Sequence, residues 1–426
     1  MGASNTSVLI SGAGIAGPAL AYWLKRYGFD PTVVEQAPKP RTEGYAFHLH
    51  GTSGIEVLKR TGVWDEILEH RRVDRDVMFV DRSDRVLARM NTPTATSDIE
   101  QSGAQITIKR SEVALVLYEH TKDDVEYLFG DAIAGFVETG SGVAVTFESG
   151  EQRQFDLVIG CDGLHSGVRK LAFGDERQFK RYLGYYVAAF TTDDYPIQYG
   201  SDVIYFAPDL IATLFGLEDR EAIAVFVMRQ DRELGCELED ADSQKKAFKA
   251  ALPTRDWKIP ELLDRMERTT DFFLDSVSQI RMDRWSKGRI TLVGDAAYCP
   301  TLLSGFGAQL ALAGAYTLAG ELMRAEGDFG RAYAAYEEKL RPYVAEKQKS
   351  PTQSTRFIPR SKFGVWLGHQ VIKLLNVPVV SKLIFKTSYG GLVQEAFTLT
   401  DYEGERGQSR VGPAYRSSAA ASRIKA

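Results

Sequence analysis

The tightest constraint on this chain lies near its N-terminus. A short apolar run, Val8 to Ser11 (VLIS), passes directly into Gly12-Ala13-Gly14-Ile15-Ala16-Gly17, and a helical run, PALAYWLKRYG, follows. The next apolar stretch, PTVVEQ, reads as a second strand ending on Glu35, with Gln36 beside it. Strand, glycine turn, helix and strand make a βαβ unit, the building block of a parallel sheet. Each glycine has its own reason at this spacing. The first makes a tight turn, the second lets the backbone approach a pyrophosphate, and the third lets helix and strand pack closely. Unpaired N–H groups and partial positive charge at the helix start favour an anion. Glu35 stands where an acid accepts hydrogen bonds from a ribose.

The pattern returns further along. GDAAYCPTLLSGFGAQLALAGAYTLAGEL begins at Gly294, after the strand Arg289 to Val293 (RITLV). It holds an acid, Asp295, then Pro300, then two spaced glycines, Gly305 and Gly307, then an almost uncharged helix from about Ala308. Such a loop brings backbone donors close to an anion, with Asp295 placed to meet a hydroxyl just past the strand. Alone, it reads better as an ordinary buried strand-to-helix connection. Between the two lies a buried strand, Leu157 to Gly160, that ends in CDGLHSGVRK.

From about Arg181 to Ile280 the texture changes to aromatic and β-branched runs, YYVAAFTT, DVIYFAP, IATLFGLE and AIAVFVMR, which read as antiparallel strands of a separate sheet. The expected fold is α/β. A nucleotide-binding domain spans residues 1–180 and resumes at 281–350, and a mainly antiparallel sheet domain is inserted at 181–280. C-terminal helices follow at 351–402 and a disordered tail at 403–426. At 426 residues the chain is long enough for two domains.

A net charge of −5 makes no case for nucleic-acid binding. Cys161, Cys236 and Cys299 form no CxxC pair, which argues against a disulfide framework or a metal site and fits a reducing cytoplasm. No basic segment precedes the first apolar run, so no signal peptide is expected. Val365 to Phe385 is interrupted by His369, Lys373, Pro378 and Lys382. It reads as two short amphipathic helices, without stable membrane insertion.

Three motifs stand in order: the Gly12–Gly17 turn, Asp162-Gly163 with Ser166 and Arg169, and Gly294-Asp295 with Pro300, Gly305 and Gly307. Together they resemble the group A flavoprotein monooxygenases, the para-hydroxybenzoate hydroxylase-like family, over nearly the whole chain. AGPALAYWLKRYGF, DLVIGCDGLHSGVRK and GRITLVGDAAYCP are most similar to the tetracycline-inactivating flavoenzymes and their relatives. The resemblance implies a Rossmann-like FAD-binding domain, FAD as cofactor and NAD(P)H as co-substrate. It also implies a C-terminal helix that bridges the domains. The implied reaction is hydroxylation of a polycyclic or phenolic substrate with O2 through a flavin C4a-hydroperoxide, by a monomer or homodimer. It assigns the ADP half of FAD to the first motif, the pyrophosphate to Arg110, and both FAD and NAD(P)H use to the Asp162 motif. A ribityl hydroxyl falls to Asp295, and the isoalloxazine ring to Gly305, Gly307 and Ala308.

The chain departs from that family at two points. Leu302 stands where a proline is common, and Phe306 where a glutamine is common. Both belong to the region where flavin and substrate meet, so Leu302 and Phe306 are candidates for substrate binding and catalysis. His48 is a candidate for substrate polarisation or proton shuttling, and a strand-edge histidine is the plainer alternative. Tyr205 and Phe206 are candidates to line the substrate cavity, although alternation sends one of them into the core. Two other readings stay open: a biosynthetic polyketide or aromatic hydroxylase, and a flavin- and ligand-binding protein with impaired chemistry.

Overall fold

Val8, Leu9 and Ile10 are fully buried because their strand, Ser7–Ser11, lies inside a six-stranded sheet. The computed structural model describes residues 6–41, 46–49, 52–72, 76–91, 106–235, 240–349, 358–374 and 397–404. In that sheet the order is Ser286–Lys287, Ile290–Leu292, Leu157–Gly160, Ser7–Ser11, Asp30–Glu35 and Glu126–Phe129. All neighbours are parallel except the short first pair. Parallel strands need crossover connections, and the helix Ala16–Arg26 supplies the first. It packs on the helix Gly307–Arg324, with the Trp23 and Tyr316 rings edge to face at 4.8 Å. The near absence of charge on Gly307–Arg324 has a simple cause: residues 309–322 are buried all the way round.

The second sheet has seven strands, in the order Phe273–Ile280, Lys180–Thr192, Ala222–Arg229, Leu210–Gly216, Ser201–Ala207, Asp76–Val80 and Val86–Asn91. The last two come from the N-terminal segment, so the sheet domain is not confined to residues 181–280. Asp76–Val80 joins Ser201–Ala207 in parallel, and the other pairings are antiparallel. One face is covered by the helices Ala241–Ala251 and Ile259–Met266, whose Phe248, Leu262 and Met266 close a core with Ala188, Phe190 and Phe226. The opposite face packs Tyr185, Val187 and Val277 against Leu302 and Leu303 of the glycine-rich loop.

The helix Lys362–Lys373 packs against the strands Val86–Asn91 and Ser201–Ala207 of the second sheet. The second helix expected before Phe385 lies outside the described residues. Residues 397–404 sit on the first domain. Tyr402 lies against Gly320, where a Cβ would come within 2.3 Å of its ring. The Arg26 guanidinium donates to both oxygens of Glu403 at 2.6 and 2.7 Å. Glu403 is thus part of the fold, and only residues beyond Gly404 remain of the expected tail, outside the described residues.

His165 ties the two parts together. Its ring stands 3.1 Å from Glu176 and 3.2 Å from Asp275, on the edge strand of the second sheet. Partial burial lowers its proton affinity, but the two carboxylates outweigh this and raise its pKa to about 9. A raised pKa stabilises the folded form fully below the ordinary histidine value. That contribution is lost as pH rises through about 9. The melting temperature of the protein should therefore exceed that of His165→Asn at neutral pH, and the gap should close between pH 7 and 10. A gap that persists unchanged at the alkaline end would show that a charged His165 is not the tie.

Candidate cofactor and active site

The three motifs meet in one cleft. It is lined by Gly14, Ile15 and Ala16, by Cys161 and Gly163, and by Asp295, Gly305, Gly307 and Ala308, with Arg110 at its rim and Thr301 and Leu302 at the loop. The space is about 730 Å³, counting the part open to solvent.

The glycine turn shows why three glycines are needed. Gly12 has φ of +103°, and a Cβ there would lie 2.7 Å from the Cys161 carbonyl oxygen. A Cβ on Gly17 would lie 1.9 Å from the Gly12 carbonyl oxygen. Gly14 differs: a Cβ there would meet nothing within 4 Å. Its vacant side faces the cleft, so the middle glycine leaves room for a ligand, not for neighbouring backbone. Glu35, at the end of the second strand, accepts from the Ala13 N–H at 2.8 Å and from the Ala37 N–H at 3.0 Å. The exposed Arg41 donates to the same carboxylate at 3.3 Å. Gln36 is exposed and is not among the lining residues.

Two helix N-termini face this space: that of Ala16–Arg26 through Ile15 and Ala16, and that of Gly307–Arg324 through Gly307 and Ala308. Neither carries an acid in its own first turn, and both present partial positive charge to the cleft. Gly294 lies between them with φ of +70°, a conformation that favours glycine, although a Cβ there would make only ordinary contacts with Ala16 at 3.6 Å and Ala311 at 3.5 Å. Arg110 starts the helix Arg110–Glu119 and is exposed at the rim. The Asp295 carboxylate lies across from Gly307, its oxygens 3.6 and 3.9 Å from where a Cβ would be.

Several expected site residues have other places. Asp162 is turned inward and accepts from the Ser166 hydroxyl and the Val168 N–H. Burial raises its pKa against those hydrogen bonds, and it braces Cys161 and Gly163, which line the cleft in its stead. Pro300 is buried, its carbonyl accepting from Gln279 at 3.0 Å. Phe306 is also buried, with the Lys347 ammonium 4.3 Å from its ring centre, and is not among the residues lining the cleft. Tyr205 faces the helix-covered core and stacks on Trp257 at 5.0 Å. Phe206 is on the other face, pairing with Ile211 and stacking near Phe79 at 6.3 Å. Leu302 does line the cleft. His48 lies on the strand Ala46–Leu49, paired with Thr107, and its side chain is outside the described residues. Burial pushes the Cys161 and Cys299 thiols well up, so neither is an activated nucleophile.

Thr301, Val293 and Ala311 line the cleft without having been singled out. Ala311 had a readable signal, since small residues recur at Ala308, Ala311 and Ala315 on a helix that follows a glycine loop. Thr301 had none.

The FAD binding domain family matches residues 5–357. A flavin-dependent monooxygenase of Legionella longbeachae is 33% identical over 369 residues, covering 86% of this chain and 90% of its own. An uncharacterised protein of Mycobacterium tuberculosis is 39% identical over 343 residues, covering 80% of this chain and 91% of its own. Among solved structures, the tetracycline destructase Tet(55) superposes with a TM-score of 0.77 at 30% identity, covering 94% of this chain and all of that one. Tet(51) gives 0.76 at 31%, covering 87% and 98%. With its glycine turn, its Asp295 loop and both helix ends on one cleft, the chain belongs to the FAD binding domain family and is a flavin-dependent monooxygenase.

Proposed function

We propose that this enzyme uses NAD(P)H and O2 to hydroxylate a flat polycyclic or phenolic substrate, and that tetracyclines are among its substrates. The observation that carries the reading is the single cleft. One end has the vacant side of Gly14 and the helix N-terminus behind it. The other end has Leu302, packed on the apolar face of the second sheet. Likeness to Tet(51) and Tet(55) at 31% and 30% identity supports the substrate class. The buried free thiols Cys161 and Cys299 suit a cytoplasmic enzyme.

The residues present fit FAD. The N–H groups at Gly14 to Ala16 take the diphosphate and Arg110 adds a positive charge beside it. Glu35 takes the adenosine ribose, and Asp295 a ribityl hydroxyl. The start of Gly307–Arg324 favours negative charge on the ring edge it faces. When bound, FAD supplies hydride acceptance and oxygen activation. The chain's own part is to hold the substrate dry on the sheet face of Ile211, Val225 and Val227, with Leu302 closing over it.

Substitution separates binding from folding. A Cβ at position 14 has nothing within 4 Å, so Gly14→Val should fold with a nearly unchanged melting temperature yet purify without flavin. Two charge-assisted hydrogen bonds at about 1.5–3 kcal/mol each correspond to roughly a hundredfold or more in FAD affinity. Gly17→Ala drives a Cβ into the Gly12 carbonyl and should fail to fold. Flavin content by absorbance and thermal melts distinguish the two, and a flavin-loaded Gly14→Val protein would move the pyrophosphate elsewhere. Asp295→Ala should weaken FAD by about 10- to 100-fold, the value of one hydrogen bond to a charged group, read by flavin fluorescence titration.

Substrate is tested by following NADPH consumption in air with and without a tetracycline, with mass spectrometry of the mixture. The expected outcome is a ligand-stimulated rate and a product heavier by one oxygen. Stimulated oxidation that yields only hydrogen peroxide would remove tetracyclines as substrates, leaving a biosynthetic phenolic or polyketide substrate as the next candidate.

A further inference from the structure

The helix Lys362–Lys373 is apolar on two sides. Its inner side, with Val365, Gly368, His369 and Ile372, is half-buried against the second sheet. Its outer side presents Phe363, Trp366, Leu367, Val371 and Leu374, between 49% and 69% exposed, and no described element covers them. The Phe363 and Trp366 rings stack at 5.7 Å, forming one aromatic surface. A helix apolar all round is normally buried, and exposed apolar clusters of this kind mark an interaction surface.

Charge identifies what meets it. The outer face is bracketed by Arg360 and Lys362 at one end and Lys373 at the other, and residues 358–374 contain no acid. The chain as a whole is at −5, so this segment is a local cationic exception. Apolar and aromatic groups on one face with lysines at the ends are the composition of a helix lying in a membrane interface. There the lysine stems follow the apolar surface and their ammonium groups reach the headgroups. Tryptophan favours the same depth. A second copy is a poor occupant. Two-fold pairing of this helix would set cationic ends together with no acid to neutralise them. At about 18 Å in length, the helix also offers far less than the roughly 800 Å² per partner of a standard interface. No described helix is long and apolar enough to cross a membrane, so the contact lies in the plane of the surface.

We propose that the outer face of Lys362–Lys373 docks the enzyme reversibly on an anionic lipid surface. The inference stands apart from the substrate assignment. Its test uses the full-length FAD-loaded protein in co-sedimentation with vesicles of phosphatidylcholine alone and of phosphatidylcholine mixed equally with phosphatidylglycerol. The protein should pellet with the anionic vesicles and less so as salt is raised. Phe363→Ser/Trp366→Ser should abolish binding. Lys362→Gln and Lys373→Gln should each weaken it by about fivefold, the worth of one basic residue near such a surface. Flavin absorbance per protein should be the same in every variant, since none of these residues touches the cleft. If the double variant fails to fold, the lysine variants and the salt dependence still decide the matter. Wild-type protein left in the supernatant with both vesicles would overturn the proposal. So would equal binding by the lysine variants, or a dimer on gel filtration that the double variant dissolves.

Discussion

Three backbone segments approach one another at the end of the strand Ser7–Ser11, and the cleft follows from how closely they do so. The Gly12 N–H donates to the Val34 carbonyl at 2.7 Å. Behind it, the Cys161 carbonyl stands where a Cβ would otherwise project, and Gly17 closes the turn from the helix side. Neighbouring strands leave this strand on both sides, Asp30–Glu35 on one and Leu157–Gly160 on the other, all running the same way. In a parallel sheet that is the point where the order reverses and a crevice opens beyond the strand ends. Gly163 and Asp295 are delivered to it because their strands are the next in the same sheet. Without side chains at Gly12 and Gly17, residues far apart in the chain reach one ligand space.

Polar ties then fix the second sheet over that space. Arg169 is fully buried, and acceptors are supplied to its two terminal nitrogens. It donates to Ala296 O at 2.9 Å, to Leu164 O at 2.6 Å and to Glu176 at 2.6 Å. Ala296 follows Asp295, so one side chain joins the two loops of the cleft. Glu176 also holds His165, which reaches Asp275 on the second sheet. On the far side, the Gln348 amide donates to the carbonyls of Ile280, Tyr298 and Cys299, and Gln279 donates to Pro300 and Gln348. Buried hydrogen bonds are directional and costly to leave unmade, so they set an orientation that apolar packing alone would leave loose.

What could be read in the sequence was local. The glycine spacing and the Asp295 loop are legible because their physical demands act within a few residues. The uncharged helix after Gly307 was legible for the same reason. What escaped depended on distant partners. Alternation put Tyr205 and Phe206 on opposite faces, but only the packing of Ala241–Ala251 and Ile259–Met266 decides which face is covered. DVMFV and VLARMN belong to the second sheet only through a parallel pairing with Ser201–Ala207, more than a hundred residues away. Asp162 carries the right motif, yet the Ser166 and Val168 donors beside it claim its carboxylate. The resemblance put Phe306 where flavin and substrate meet, but the Lys347 ammonium over its ring is a contact with a residue far along the chain that no local pattern announces.

The loop at Thr301 carries backbone strain of its own. Thr301 has φ of +123° and ψ of 147°, a region nearly reserved for glycine, at a cost of order 1–3 kcal/mol for a β-branched residue. Its carbonyl is clamped by the Ser304 N–H at 3.1 Å and hydroxyl at 2.8 Å, and its own hydroxyl has no partner among the described residues. A proline at position 302 would hold the ψ of the residue before it in the extended range, which the ψ of 147° already meets, so the strain at Thr301 lies in its positive φ alone. The turn that follows carries Leu302 and Leu303 onto the face of Tyr185, Val187 and Val277. With Phe306 held beneath Lys347 at the other end, the loop is anchored on both sides of Gly305. It couples the wall of the cleft to the apolar face of the second sheet.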